Sequence, residues 1–174
     1  FQPVREYAGA RLSTPVYTYT PVLTDDESTA MATESEQTTI TVPGMIDETR
    51  RDYGTVLNAF QGRPSRDDIE LVLLGRPVGK YGERTLERCE VLRERGWAVT
   101  TFSDWIPTEE FSAQLARTDL LVGPLRESRP VDGFREYYGR TKGSGVITDA
   151  LRYGLPVALP DWYVVPEAIE PAAQ

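Results

Sequence analysis

Ile69-Glu70-Leu71-Val72-Leu73-Leu74 is almost unbroken apolar chain, six residues long and closed by Gly75. A strand that alternates apolar and polar residues can leave one face in water. A strand apolar at nearly every position has to be covered on both faces. The residues from Thr38 onward supply that cover in regular order. Thr39-Ile40-Thr41-Val42 reads as a strand broken at Pro43-Gly44. Tyr53, Val56, Leu57 and Phe60 fall at i, i+3, i+4 and i+7, the apolar face of a helix that Gly62 and Pro64 end. Residues 83–95 form a charged helix with Leu86, Cys89 and Leu92 turned inward, stopped by Gly96, and residues 97–102 a third strand. Thr108 reads as the N-cap of the next helix, with Glu109 and Glu110 favoured by its dipole and Phe111 and Leu115 anchoring it. Leu120-Leu121-Val122 is a fourth strand before Gly123-Pro124. A helix ending at Gly154 follows, then Pro156-Val157-Ala158-Leu159 as a fifth strand, with a sixth element begun at 166–169. Strands alternating with helices predict an α/β domain: a mostly parallel sheet of five to six strands between two helical layers, joined by right-handed crossovers.

Composition narrows the function classes. With 40% hydrophobic and 26% charged residues, the 174-residue chain is globular. Its net charge of −8 excludes a broad nucleic-acid-binding face, so no nucleic-acid partner is expected. The chain has no His, which removes Ser-His-Asp and Cys-His nucleophile systems and the commonest zinc ligand; no metal is expected. The single Cys89 cannot form an internal disulfide, which suits a reducing cytoplasm. No apolar run approaches a membrane span. The chain begins at Phe1 without a secretory signal, the expectation being a fragment of a longer protein or a processed one. Residues 1–37 differ from the rest: 14–23 alternate and contain Pro, and 25–37 are acidic and Ser/Thr-rich, a connector or tail ahead of a domain at 38–174.

Ligands of such sheets bind beyond the carboxyl ends of the strands. The segments facing that edge are 43–50, 75–82, 103–107, 123–142 and 160–165. Among them, Gly139-Arg140-Thr141-Lys142-Gly143-Ser144-Gly145 is a basic, glycine-rich loop running into a helix. A helix N-terminus presents unpaired N–H groups and partial positive charge, and small residues let a phosphate approach. Gly143, Ser144 and Gly145 are therefore candidate phosphate contacts, with Lys142 or Arg140 adding charge. The same loop also reads as one built only for turning and close packing. It matches neither GxxxxGK[ST] nor GxGxxG after the first strand. Arg50, Arg51, Arg76 and Arg126 follow strands at the same edge, each a candidate cation or a solvated surface residue. Asp149, one turn into the glycine-loop helix, can accept from sugar hydroxyls or simply favour the helix dipole. Trp105-Ile106-Pro107 can pack a nucleobase. Residues 126–142 form a long loop of the kind that serves as a lid, bringing Glu136, Tyr137 and Tyr138 toward a sugar.

Three stretches together resemble a known family. They are Val42-Pro43-Gly44-Met45-Ile46 with Arg50, Tyr53 and Ala59-Phe60; the run from Phe102 through Thr108-Glu109-Glu110-Phe111 to Gly123-Pro124; and Gly143 to Val157, ending Gly-Leu-Pro-Val. Pro166-Glu167 adds a fourth point. The resemblance is to the C-terminal, donor-binding domain of GT-B-type glycosyltransferases of the retaining group 1/family 4 kind. It implies a Rossmann-like half of a GT-B fold and transfer of a sugar from a nucleotide-diphosphate sugar to an acceptor hydroxyl. The nucleotide-sugar is a substrate, and no cofactor is implied. The other partner implied is an N-terminal acceptor domain, and peripheral membrane association of the full-length protein is compatible with the resemblance. By the resemblance, Lys142, Gly143, Ser144, Gly145 and Arg51 meet the diphosphate, Asp149 meets ribose or sugar hydroxyls, and Ile106 meets the base. The family carries two acidic residues eight positions apart. Asp149 matches the second; Thr141 stands at the first, and Met45 where an Arg is common. An inactive binding or interaction module, or another enzyme such as a sugar-nucleotide epimerase, fits the same architecture.

Overall fold

In the computed structural model the described residues are 37–165. Of the segment read as connector (1–37), residues 1–36 lie outside them, as does the sixth element (166–169). Five strands form one parallel sheet: β1 (Thr38–Pro43), β2 (Ile69–Leu74), β3 (Ala98–Thr101), β4 (Leu120–Val122) and, after a separate hairpin of β5 (Ser128–Val131) and β6 (Phe134–Tyr137), β7 (Val157–Ala158). Their order is β3-β2-β1-β4-β7. The chain thus lays β2 and β3 on one side of β1, then turns back to place β4 and β7 on the other. The crevice where the order reverses, between β1 and β4, is where sheets of this type take their ligands.

The apolar run of β2 behaves as its composition demands. Leu71 and Leu73 join one core with Val42, Tyr53, Leu57, Cys89 and Leu92. Val72 and Leu74 join the other with Leu115, Leu121, Val146, Ala150 and Tyr153. All four are fully buried. Helices α1 (Tyr53–Gln61) and α2 (Gly79–Glu94) therefore cover one face, and α3 (Thr108–Ala116) and α4 (Gly145–Tyr153) cover the other. The three-layer, single-domain α/β architecture expected from the sequence is the observed one.

Local departures have local causes. Helix α2 starts at Gly79, four residues earlier than its charge pattern announces. The cause is Gly82, where a Cβ would meet the Pro77 backbone at 2.7 Å, so the extra turn needs glycine to pack. Thr108 is not the N-cap of α3: Pro107 holds that position with no side-chain cap bond, and Thr108 opens the helix. The 126–142 segment is not an unstructured loop. Arg129 pairs with Glu136 and Val131 with Phe134 across an antiparallel hairpin, turned at Asp132-Gly133 with φ of 38° and 89°. Positive φ at both turn residues is what an Asp-Gly hairpin turn requires.

Candidate functional site

Beyond the carboxyl ends of β1, β2 and β3 lies a cleft of about 490 Å³, a volume ordinary for small-molecule sites. The loops that follow these strands build it, and the head of α4 closes it. Gly44 and Gly75 set its floor. A Cβ on Gly75 would stand 2.1 Å from the Gly44 carbonyl oxygen, so the two loops touch backbone to backbone. Gly44 has φ of 93°, and the Arg51 guanidinium packs directly against it. The Tyr53 hydroxyl donates to the Gly44 carbonyl at 2.8 Å from below. The loop 44–52 is tied across to the segment after β4: the Asp52 amide donates to the Pro124 carbonyl at 2.7 Å and the Arg126 amide to the Arg50 carbonyl at 3.0 Å.

Three arginines line the cleft, Arg50, Arg51 and Arg76, and no carboxylate does. Arg50 Nε is buried, 3.4 Å from Asp47 Oδ2 without a hydrogen bond. Arg51 Nε is buried with no partner, and its Nη1 makes only a long contact of 3.5 Å with the Met45 carbonyl. Arg76 is exposed. The apolar part of the lining is Leu74, Ile106, Phe111 and Trp105, the last 74% exposed.

The structure separates the site residues expected from the sequence into two groups. Arg51, Ile106 and Gly145 line the cleft together. Gly143 is exposed nearby and does not line it. Ser144 sits at the N-cap of α4, 6% exposed, and its hydroxyl neither caps the helix nor meets any other partner. Asp149 is half-buried off the lining. Burial pushes its carboxyl up to about 6, while the charges of Arg51 and Arg152 oppose that rise. Lys142 is held away from the cleft in an ion pair: Glu136 Oε2 accepts from Lys142 Nζ at 2.9 Å and from Arg129 Nε at 2.7 Å. These two cations hold the Glu136 carboxyl below its ordinary range.

The glycine loop is also less free than its composition implies. The Tyr137 carbonyl accepts from the amides of Arg140, Thr141 and Lys142, and the Gly139 amide donates to the Lys142 carbonyl at 2.9 Å. Thr141 Oγ1 accepts from the Tyr137 amide at 2.8 Å, so the hydroxyl at the family's first acidic position closes this turn. Glu136 thereby serves the hairpin and the turn, and Tyr138 is buried in the core. The contributions of Thr108 and Phe111 to the cleft, and the Gly44–Gly75 contact, were missed in the sequence. Asp132-Gly133 between Val131 and Phe134 was a legible hairpin signal. Among the described residues no cluster of His, Cys, Asp and Glu could hold a metal, and no helix is long and apolar enough to cross a membrane.

The fold and the position of this cleft are those of a Rossmann-like α/β domain with a ligand edge at its carboxyl ends. The chain has the fold of a glycosyltransferase C-terminal domain: it is similar to the C-terminal domain of a glycosyl transferase group 1 family protein (LpcC) from Francisella tularensis, with a TM-score of 0.52 at 14% identity over 78% of this chain and 70% of that one. No protein-family model and no curated protein matches the chain.

Proposed function

We propose that the chain is the donor-binding half of a glycosyltransferase and that its cleft takes the nucleoside diphosphate of an activated sugar. The carrying observation is the lining: three arginines and no carboxylate, together with aromatic and aliphatic side chains, on a chain whose net charge is −8. A positive cleft in an acidic protein focuses anions. Neighbouring strands lie about 4.8 Å apart, so the span from β3 to β4 is roughly 14 Å. A nucleoside diphosphate laid across the strand ends fits that span, with its base on Ile106 and Trp105 and its diphosphate at Arg50, Arg51 and the head of α4.

Gly145 supports the placement of the diphosphate. A Cβ there would meet nothing within 4 Å, so packing does not require glycine and the helix head is left bare for an anion. The buried, unpartnered hydroxyl of Ser144 lies at the same helix start. In transfer, a leaving diphosphate gains charge, and preorganised N–H groups and guanidinium groups stabilise it more than they stabilise the intact donor. In this reading Asp149, half-buried off the lining, takes the hydroxyl-accepting role for ribose or sugar only where the ligand reaches past the head of α4. Lys142 enters the phosphate shell only by leaving Glu136. The acceptor domain supplies the other wall of the catalytic cleft.

A second reading, binding without transfer, is favoured by one observation: Thr141, hydrogen-bonded within its turn, offers no carboxylate to the sugar. Calorimetric titration of the chain with UDP and GDP tests the shared premise; a folded sample that gives no heat with either overturns it. Nucleotide-sugar hydrolysis or transfer by the full-length protein separates transferase from binding module.

A further inference from the structure

The guanidinium groups of Arg50 and Arg51 are not fixed from within the cleft: each Nε is buried without a hydrogen-bond partner. Asp47, the ion-pair partner of Arg50, belongs to the same turn. Its carbonyl accepts from the amides of Arg50 and Arg51 at 3.1 and 3.0 Å, and its carboxylate accepts from the Thr49 amide at 2.8 Å. Asp47 therefore shapes the turn without fastening it to the fold. Where the two cations stand depends on what holds the main chain of 47–50 against the rest of the molecule.

The loop is secured before this turn and after it. The Ile46 amide donates to the Arg76 carbonyl at 2.9 Å, and the Asp52 amide to the Pro124 carbonyl at 2.7 Å. In between, Glu48 and Thr49 are exposed, and among the described residues no main-chain bond ties either to another element. Arg126, from the segment after β4, supplies that tie. It grips the turn at two points: its amide donates to the Arg50 carbonyl at 3.0 Å, and its Nε to the Glu48 carbonyl at 2.7 Å. The second bond comes from a charged donor and is the stronger kind. Arg126 itself does not line the cleft.

Resting on the nucleotide reading above and deepening it, we infer that Arg126 is a positioning residue for the diphosphate: its side-chain bond to Glu48 holds the turn that carries Arg50 and Arg51. It acts through those two cations and does not touch the ligand. Directed contacts to a phosphate are lost by displacements on the order of an ångström, so a bond that fixes the turn sets the affinity.

A set of three substitutions separates this bond from the charge of Arg126. In Arg126→Gln the side-chain amide keeps an N–H donor at the ε position and loses the charge. Arg126→Lys keeps the charge, puts a methylene at the ε position and carries its ammonium beyond it. Arg126→Met keeps the stem alone. The main-chain bond to Arg50 survives in all three. The measurement is calorimetric titration with UDP well below the melting temperature of each variant, where a change in stability alone leaves the affinity unmoved. Arg126→Gln is expected to bind UDP within about twofold of the native chain, and Arg126→Lys and Arg126→Met about tenfold more weakly, the scale of one hydrogen bond from a charged group. A cation that met the phosphate directly, or acted through its field, would give the reverse order, Lys retaining and Gln losing affinity. Full affinity in Arg126→Lys or Arg126→Met, or a loss in Arg126→Gln as large as in Arg126→Met, overturns the inference and leaves the nucleotide reading standing. If Arg126→Met does not fold, the order of Gln and Lys decides. No binding of UDP or GDP by the folded native chain overturns both.

Discussion

A Cβ built on Gly75 would stand 2.1 Å from the carbonyl oxygen of Gly44 and 2.4 Å from its carbon, both main-chain atoms of a neighbouring loop. Nothing flexible can yield there, so Gly75→Ala is expected to cost about 3 kcal/mol, read from the denaturant midpoint at constant m-value. Gly154 makes the contrast. It caps α4 in the left-handed region at φ of 64° with nothing within 4 Å of an added Cβ. Gly154→Ala meets only the backbone preference, about 1 kcal/mol. Asp149 gives a pH signature. Its folded carboxyl titrates near 6, above the ordinary 3.8. The native state therefore binds this proton more tightly than the unfolded chain does. The contribution to stability is full below about pH 4 and is lost as pH rises through about 6. Asp149→Asn should remove that decline, so the melting temperatures of the two proteins diverge from pH 4 to pH 7, the variant being the more stable at the upper end. Cys89 is buried and its thiol is pushed up to about 11 by desolvation. It should resist thiol reagents at pH 8 until the protein is unfolded.

At the scale of elements, the β5–β6 hairpin stands apart from the main sheet. Two strands alone are marginal in water, and this pair is held by its turn and by the half-buried Arg129–Glu136–Lys142 cluster, whose ion pairs each contribute modestly. Replacing Asp132-Gly133 by Ala-Ala should therefore release the hairpin without unfolding the domain. Hydrogen exchange is expected to rise in 128–142 and stay slow in β1 and β2; slow exchange throughout would contradict this account. Helix α4 shows what was legible. Its buried residues Val146, Ala150 and Tyr153, its glycine C-cap and the strand after it follow from local spacing. The pinned turn at 137–142 does not, because it depends on a hydrogen-bonded hairpin that brings Tyr137 back over Thr141.

At the scale of the whole molecule, the cleft concentrates positive charge on an acidic chain, so anion affinity depends on ionic strength. Raising salt from about 0.05 M to about 0.5 M shortens the Debye length severalfold and should weaken UDP binding severalfold; affinity indifferent to salt would place the anion away from the arginines. The bounds of β2, the two-sided cover it requires and the parallel α/β class were set by local composition, since an apolar run and a helical period are properties of neighbouring residues. The membership of the cleft was not. Arg51 and Gly145 are far apart in sequence, and they line one cleft only because β4 returns to the other side of β1 and carries the head of α4 with it. Lys142 shows the converse: its charge and its place beside the glycine loop are plain in the chain, yet Glu136, brought over by the hairpin, holds it in an ion pair. Sequence determined which segments become strands and helices, because burial and periodicity act within a segment. Tertiary structure alone decided which charges meet in the cleft, because that depends on the order in which the strands assemble.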